Sequence, residues 1–305
     1  MYSKRMPAHT DDLRRFACVV TGKLSVNPDS VFIMPNTQNL VVVLGSGYVG
    51  RFMLSLKNHY STVLHTSRDP ERHLTWLPSD QRLQFDLARP HSWHNIPSGA
   101  DLLWCFPAAP LDAVRSFTHT LAPFGKLVVL ASTSAYDVAD SAEYPPPWID
   151  ERAPIDYGKA RVQGEEFLRE TRGATVLRVA GIYGPGRSPY DWIKTGRVAV
   201  SRKYVNLIHV EDLAEICAAA LQYGAPAAAY NVSDGVPRTW IEIGRTLEGH
   251  DSAAAPAGEP QPAGKRIDTA KLRSLLEQAR VTIRHPDLFR SLERMHHQHA
   301  AGLDR

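Results

Sequence analysis

The chain has 305 residues, 43% of them hydrophobic and 22% charged, which is enough to bury one large core or a core with an appended lobe. Its formal net charge is only +3, so the composition gives no argument for nucleic acid or for an acidic membrane surface as a partner. Three widely spaced cysteines offer neither a disulfide framework nor a metal-binding pair, which favours a cytoplasmic protein. No apolar run approaches the roughly 18 residues of a membrane span, and the N-terminus lacks a signal-peptide core.

The N-terminal residues 1–37 have mixed charge and no convincing apolar periodicity, so we interpret them as a poorly ordered appendage. Met34 lies just before the first apolar run. This position suggests the hypothesis that natural translation starts at Met34 and that residues 1–33 are not native. Mass spectrometry of native protein that begins at Met1 would refute the hypothesis.

A glycine-rich loop follows the apolar run Leu40–Leu44, with glycines at 45, 47 and 50 in the spacing G-x-G-x-x-G. This pattern predicts a strand, a tight turn and a helix. Gly45 allows the turn, Gly47 lets the backbone approach a pyrophosphate, and Gly50 lets the helix pack close to the strand. The free N–H groups at the helix start suit an anion. The loop therefore predicts a dinucleotide site made by Gly45, Ser46, Gly47, Tyr48, Val49 and Gly50.

The end of the second predicted strand, Ser61–Thr66, bears on which dinucleotide is bound. In this arrangement an acidic residue bonds the ribose 2′-OH of NAD, whereas an arginine accommodates the 2′-phosphate of NADP. The strand is followed by Ser67 and Arg68, and no acidic residue occurs from Gly50 to Ser67. NADP is therefore favoured. An alternative is that Arg68 is a solvated residue paired with Asp69, and Asp69 keeps NAD possible.

Further strands alternate with helices along the chain. A third strand, Leu83–Leu87, contains Asp86, and a fourth, Ala100–Phe106, leads into a turn at Pro107 and Ala108. We expect Asp86, Pro107 and Ala108 to border the cofactor, although a simple proline-rich turn explains the last two as well. The alternation predicts an α/β fold: a Rossmann-type doubly wound parallel sheet, with a small C-terminal substrate-binding lobe.

Candidate catalytic hydroxyls follow the fifth predicted strand, Lys126–Ala131. Ser132 lies at the carboxyl end of that strand, and Tyr157 comes 25 residues later. The segment after Pro154 is interpreted as a helix that carries Tyr157 and Arg161 on one face, at i and i+4. Two structural interpretations stay open: Ser132 caps its own backbone, and Tyr157 packs half-buried against the sheet.

The ordered motifs resemble the extended and atypical short-chain dehydrogenases/reductases, including the NAD(P)-dependent epimerase/dehydratase relatives. The resemblance covers residues 40 to about 290 and rests on the glycine loop, Ser132 before Tyr136, the Tyr157 segment with Gly164-Glu165-Glu166, and the segments Leu177–Gly186 and Asn206–Leu213. It implies hydride transfer in which Tyr157 exchanges a proton with the substrate oxygen and Ser132 hydrogen-bonds that oxygen. Tyrosine has a pKa near 10 and needs a nearby cation for this work.

The sequence departs from this family at Arg161, where the family has lysine. A guanidinium stabilises a tyrosinate and bonds a ribose, but it cannot take part in a proton relay. Lys159, two residues after Tyr157, points away from the tyrosine if both lie on a helix, and is then a poor substitute.

We divide the chain into the appendage 1–37, a dinucleotide-binding domain 38–180 and a lobe 181–305 into which sheet elements are interleaved at about 204–232. Only 19 residues separate Gly186 from Asn206, where sugar-nucleotide epimerases carry a longer insertion, so we expect a smaller substrate. Aromatic and basic residues there suit an anionic substrate, although helix packing explains Trp192 equally well. His209 is interpreted as structural, and no metal site is predicted.

Two functions remain open from the sequence. The first is an NAD(P)-dependent oxidoreductase or epimerase that acts on a small carbonyl or hydroxyl substrate, with Ser132, Tyr157 and Arg161 as catalytic residues and NADP favoured. The second is a non-catalytic NAD(P)-binding sensor or regulatory protein. The resemblance suggests a monomer or homodimer.

Overall fold

The computed structural model describes residues 40–121, 123–139, 141–248 and 263–300. From Gln38 onward the chain is one compact unit. The predicted appendage 1–37, with the proposed start at Met34, lies outside the described residues, and both stay predictions.

The strands of the described residues are β1 (Leu40–Leu44), β2 (Thr62–Ser67), β3 (Arg82–Gln84), β4 (Asp101–Trp104), β5 (Leu127–Ser132), β6 (Trp148–Ile149), β7 (Thr175–Val179), β8 (Gly181–Tyr183), β9 (Tyr204–Val205), β10 (Leu207–His209), β11 (Ala229–Val232), β12 (Arg238–Thr239) and β13 (Arg266–Ile267). The α-helices there are α1 (Pro70–His73), α2 (Leu111–Thr120), α3 (Ala160–Arg172), α4 (Pro189–Lys194), α5 (Val210–Tyr223), α6 (Trp240–Glu248), α7 (Ala270–Ala279) and α8 (Leu288–Ala300). Four 3₁₀ segments lie at Val49–Asn58, Ser79–Gln81, Pro90–Asn95 and Thr133–Ala139.

Seven of the strands form one parallel sheet in the order β11-β7-β5-β4-β1-β2-β3. The chain first builds outward from β1 through β2 to β3, and then returns to the other side of β1 to place β4. In a doubly wound sheet, ligands bind in the crevice at the carboxyl ends of the strands where this reversal occurs. The predicted α/β fold with a doubly wound parallel sheet is confirmed.

Both faces of the sheet are buried under helices. In β1, Val41 and Val43 join the core that packs under α5 and α7, while Val42 and Leu44 join the core under α2 and α3. Strands buried on two faces are continuous apolar runs, which is why Leu40–Leu44 has no polar residue. No helix in the part of the chain described is both long and apolar enough to cross a membrane.

A separate apolar cluster is made by residues of β8, β10, α6 and α8: Tyr183, Leu207, Trp240, Ile243, Leu288 and Leu292. Trp192 of α4 packs against this cluster, and its ring centroid lies 6.3 Å from that of Trp240 in an edge-on arrangement. Trp192 therefore has the helix-packing role that the sequence left open.

The largest difference from the sequence prediction is at the start of α3. The helix begins at Ala160, and Tyr157 lies in the preceding turn, so the prediction that Tyr157 and Arg161 share one helix face is wrong. The cause is local. The Asp156 carboxylate accepts a hydrogen bond from the Gly158 N–H at 3.0 Å, a side-chain turn that competes with helix formation. Lys159 then caps the helix with an extended backbone.

Two other boundaries differ from those predicted. The helix after the glycine loop is the 3₁₀ segment Val49–Asn58, kinked at Met53, rather than a regular helix that starts at Arg51. The third strand ends at Gln84, so Asp86 lies in the loop beyond it. That loop still follows the carboxyl end of its strand, and Asp86 therefore keeps its place at the edge of the crevice.

Candidate dinucleotide and catalytic sites

The glycine loop is held by backbone contacts to β2. Gly45 donates its N–H to Thr66 Oγ1 at 2.9 Å, and Ser46 donates to the Thr66 carbonyl at 2.9 Å. Gly45 has φ +83°, and a Cβ at this position would lie 2.6 Å from the ring of Phe106. A Cβ at Gly47, in contrast, has no atom within 4 Å. Gly45 is therefore required by the fold, whereas the protein itself leaves the space over Gly47 open.

A cavity of 610 Å³ opens over this loop at the carboxyl ends of β1, β2 and β4. Five of the predicted cofactor residues line it: Gly45, Ser46, Gly47, Arg68 and Asp86. Its other walls come from Arg51, Thr66, Ser67, His73, Phe85, Leu87, Ala88, Cys105, Phe106, Ala109 and Pro110. The volume lies in the middle of the range for small-molecule and cofactor pockets.

The remaining predicted cofactor residues lie outside the lining of this cavity: Tyr48, Val49, Gly50, Pro107 and Ala108. The ring of Tyr48 stacks under Arg187 at 4.8 Å and packs on Phe52. Ala108 is 3% exposed, because α3 presses against its carbonyl at Gly164. The next two residues of the same turn, Ala109 and Pro110, face the cavity instead.

Arg68 has no ion pair or hydrogen bond through its guanidinium among the residues described. The sequence left open a pairing with Asp69, but the Asp69 carboxylate caps α1 by accepting the backbone N–H of Arg72 at 3.2 Å. Asp69 also lies outside the wall of the 610 Å³ cavity. The end of β2 therefore presents an unpaired cation to the cavity and no carboxylate.

Arg51 and His73 also line the cavity, and the sequence prediction missed both. Arg51 directly follows the last glycine of the loop and has no ion-pair partner in the described part of the chain. A basic residue at that position was a signal available in the sequence. His73 is brought in by α1 and shares a hydrogen bond of 2.8 Å with the Ser67 hydroxyl. Nothing in the sequence indicated that α1 brings His73 to this cavity.

Ser132 and Tyr157 lie on different segments near the carboxyl end of β5. The Ser132 hydroxyl accepts the N–H of Ser134 at 3.2 Å, which is the backbone-capping role left open by the sequence. Tyr157 is 54% exposed. What burial it has, together with the Glu166 and Glu170 carboxylates, raises the pKa of Tyr157. No hydrogen bond joins the two hydroxyls in the described structure, and Tyr157 is a neutral phenol at physiological pH.

Lys159 reaches the loop after β5, contrary to the sequence prediction. Its ammonium group donates to the Ser134 carbonyl at 2.6 Å and pairs with the carboxylates of Asp137 and Asp156, the latter at 3.6 Å. The prediction that Lys159 points away assumed a helix through Tyr157. Because α3 begins only at Ala160, that premise is wrong.

Arg161 is the least satisfied cation near this end of the sheet. Its Nε and Nη2 atoms are buried and have no partner among the described residues. Glu165, one turn later on α3, is 2% exposed and also has an unpartnered carboxylate oxygen, Oε1. Burial raises the pKa of Glu165 to about 7, although Arg178 and Arg161 act in the opposite direction. Buried polar atoms without partners are unusual and mark places where a ligand or water completes the site.

A buried ion-pair network lies beside this pair and connects α3 to the sheet. Arg178 of β7 donates to Glu166 at 2.7 Å and to the Tyr136 hydroxyl at 2.9 Å. Tyr136 in turn donates to Asn231 of β11 at 2.7 Å. Arg178 and Glu166 each expose only 3% of the side chain. This network fixes α3, and with it Arg161, against the central sheet.

His209 caps α5, since its Nδ1 accepts the N–H of Glu211 at 3.3 Å. This is the structural role predicted from the sequence. Ligand atoms of His209, Glu211 and His285 lie within 4.8 Å of one another. The rings of His209 and His285, however, are stacked 3.6 Å apart and only 20° from parallel. An ion bound in the plane of one ring lies out of the plane of the other, so this cluster is poorly arranged for a metal.

No protein-family model matches the chain, and no curated protein matches its sequence. Solved structures do match. A putative NAD-dependent epimerase/dehydratase from Methylobacillus flagellatus is 23% identical with a TM-score of 0.66, and the match covers 88% of this chain and all of the other. A conserved protein of unknown function from Silicibacter pomeroyi is 24% identical with a TM-score of 0.62, covering 86% of this chain and 99% of the other.

A third match is RMD from Pseudomonas aeruginosa in complex with NADPH, 18% identical with a TM-score of 0.57, covering 85% of this chain and 96% of the other. These similarities confirm the fold that the resemblance to extended short-chain dehydrogenases/reductases implied. At such identities they establish the fold and not the activity.

Proposed function

We propose that this chain is an NADP-dependent oxidoreductase or epimerase that acts by hydride transfer on a small carbonyl or hydroxyl substrate. The observation that carries the proposal is the cavity over the glycine loop, where Arg51 and Arg68 have no carboxylate partner among the described residues. Arginine at the end of the second strand accommodates a 2′-phosphate, and an acidic residue there would bond a ribose hydroxyl instead. Structural neighbours described as NAD-dependent or bound to NADPH support a nicotinamide dinucleotide.

The residues over the glycine loop fit such a cofactor. The open space over Gly47 and the free guanidinium groups suit the phosphates. On α3, the buried Nε and Nη2 atoms of Arg161 lack an acceptor among the described residues, although Arg161 does not line the cavity over the glycine loop. The bound dinucleotide supplies the hydride acceptor or donor for the reaction.

The proposed acid is Tyr157, whose phenol is in the protonated form that carbonyl reduction requires. Its raised pKa keeps the phenol protonated, so it can donate a proton to a substrate oxygen as hydride arrives at the carbonyl carbon. The tyrosinate that remains is reprotonated from solvent, to which Tyr157 is 54% exposed. Direct exchange with solvent removes the need for a lysine relay, which is consistent with Arg161 at the family's lysine position.

Ser132 is proposed to orient the substrate oxygen, and Arg161 to provide electrostatic support. The Ser132 hydroxyl accepts a backbone N–H, so its own proton is free to be donated. The guanidinium of Arg161 is already desolvated, and its interaction with a polar ligand is therefore stronger than in water.

A second candidate is a non-catalytic NADP-binding sensor. It is favoured by one observation: the hydroxyls of Ser132 and Tyr157 share no hydrogen bond in the described structure. Both candidates need the dinucleotide site, and they differ in their dependence on Tyr157.

The first test is calorimetric titration of NADPH and NADH into the wild type, Arg68→Ala and Arg51→Ala, with Arg273→Ala as a control. Arg273 is an exposed arginine on α7, remote from the cavity. A charge-assisted hydrogen bond is worth about 1.5–3 kcal/mol, so we expect Arg68→Ala to weaken NADPH binding about ten- to a hundredfold. NADH binding and the control should be unchanged. Equal loss for both nucleotides would contradict the NADP preference, and failure of either nucleotide to bind wild type would refute both candidates.

A further inference from the structure

A second cavity, of 380 Å³, lies beyond the carboxyl end of β5, away from the glycine loop. Its wall is formed by Thr133, Asp137, Gly181, Lys203, Tyr204, Val205, Asn206, Gly264 and Lys265. Thr133 directly follows Ser132, so the cavity begins next to the expected position of the reactive substrate oxygen. The volume lies near the lower end of the range for small-molecule pockets, about 300–1,000 Å³.

Two lysines near this cavity pair with the same carboxylate. Asp137 accepts hydrogen bonds from both Lys159 and Lys265. Burial alone would raise the pKa of Asp137, but the hydrogen bonds and charges of these two lysines outweigh it and lower the pKa. Asp137 is therefore ionised, and its charge is already shared between two cations.

Lys203 is different from these two lysines. It lines the same cavity, but its ammonium group makes no hydrogen bond or ion pair with the residues described. The charged residues near this cavity are three lysines, at 159, 203 and 265, and two carboxylates, those of Asp137 and Asp156. Lys203 is left without a partner among the described residues, and it lines the cavity together with Lys265.

The rim of the cavity adds further positive charge. Arg202 stacks on the ring of Tyr144 at 4.2 Å, and Arg266 stacks on Trp148 at 5.0 Å. Tyr144 also lies 5.6 Å from the ring of Tyr204, a residue of the cavity wall. An excess of positive charge around a cleft raises the local concentration of anionic ligands.

We propose that this cavity binds the anionic end, a carboxylate or a phosphate, of the substrate, and that Lys203 selects for that negative charge. This site rests on the proposed function, because the other end of the substrate would then lie at Ser132. An ammonium group binds carboxylate and phosphate as a compact point charge, so either source of the charge satisfies it.

The test measures the binding of matched ketones to the protein saturated with NADP⁺. Saturation-transfer NMR and calorimetry report this binding. One pair is 4-oxopentanoate and 4-oxopentanamide, and the other is dihydroxyacetone phosphate and dihydroxyacetone. In each pair the charge differs while the ketone is kept. We expect the wild type to bind the charged member of one pair at least about tenfold more tightly, and the pair that responds identifies carboxylate or phosphate.

Two variants and a control separate charge selection from general damage. Lys203→Met should abolish the preference for the charged member, whereas Lys194→Met, which removes an exposed lysine of α4 outside this cavity, should keep it. Asp137→Asn removes one negative charge and should tighten binding of the anion. A structural loss would weaken binding in both Lys203→Met and Asp137→Asn.

The proposal is overturned if the wild type does not prefer the charged ketone in either pair, if Lys203→Met keeps the preference, or if Asp137→Asn weakens anion binding. The same samples report NADP⁺ binding. NADP⁺ binding without charge preference removes only the anion site, whereas absence of NADP⁺ binding removes the proposed function itself.

Discussion

The cavity over the glycine loop and the region beyond β5, here called the two halves of the candidate site, satisfy their charged groups in opposite ways. In the half over the glycine loop, Arg51 and Arg68 line the cavity with no carboxylate partner in the described structure. In the half beyond β5, Lys159 and Lys265 are both paired with Asp137. The first half is prepared for an anionic ligand by cations left free, and the second is held together by its own charges. The exceptions in the second half, Arg161 and Lys203, therefore indicate where a ligand is needed.

The largest effect that tests this comparison is expected from Tyr157→Phe. If the second half is catalytic, removing the phenol proton should lower kcat by about 10²–10⁴, the range of general acid catalysis. NADPH affinity should stay unchanged, because Tyr157 lies outside the cavity over the glycine loop. Stability should change by less than about 0.5 kcal/mol, because the side chain is half exposed. Steady-state kinetics with a carbonyl substrate and nucleotide titration check these outcomes.

A loss of turnover smaller than tenfold in Tyr157→Phe would show that the tyrosine is not the acid. An unchanged cellular or binding response would favour the sensor. The nucleotide titration of the same variant serves as its internal control.

The next largest effect is expected on the folding of the second half. Arg178→Met leaves the buried carboxylate of Glu166 with only Arg169 as a partner. Breaking one side of a buried ion pair costs about 3–5 kcal/mol of the free energy of unfolding. Urea unfolding followed by circular dichroism measures this loss.

The matched control is the double variant Glu166→Leu with Arg178→Met, which removes both charges. It should recover most of the stability, because apolar replacements of a buried pair are often neutral. If the double variant is less stable than Arg178→Met alone, the network stabilises the fold by more than the pairing of its buried charges.

The smallest of these effects should come from substitutions in the glycine loop. They test whether Gly45 is required for folding and Gly47 for nucleotide binding. Gly45→Ala places a Cβ at a left-handed φ and against Phe106, so we expect a loss of about 2–4 kcal/mol in the free energy of unfolding.

Gly47→Ala meets no protein atom within 4 Å, so stability should change by less than about 0.5 kcal/mol. Its affinity for NADPH should nevertheless fall at least about tenfold, because the methyl group occupies space open to the pyrophosphate. Thermal unfolding and calorimetry separate these outcomes, and Gly47→Ala with unchanged affinity would place the phosphates elsewhere.

Much of the fold followed from the sequence because its signals are local. The apolar run Leu40–Leu44 and the glycines after it fixed β1 and the loop. Apolar periodicity and glycine spacing act over a few residues, so they are readable without tertiary contacts. Whether Arg68 is free stayed open from the sequence, because Asp69 follows it directly.

The region of the candidate catalytic residues was less predictable because single hydrogen bonds decide its geometry. The turn made by Asp156 and Gly158 delays α3 to Ala160, and this moves Tyr157 off the helix and turns Lys159 toward Ser134. Helical spacing alone had placed Tyr157 on one helix face with Arg161 and had pointed Lys159 away from Tyr157. Likewise, the 3% exposure of Ala108 depends on the close approach of α3 at Gly164, 56 positions away in the sequence.

The sequence by itself determined the order of elements and the glycine loop, because these depend on residue type and short-range spacing. Only the tertiary structure decided which charges find partners. Asp69 caps α1 and leaves Arg68 free, Asp137 joins Lys159 to Lys265 across more than 100 residues, and Lys203 is left facing a cavity. Pairing between charges depends on distances set by packing of the whole chain, and no local pattern encodes those distances.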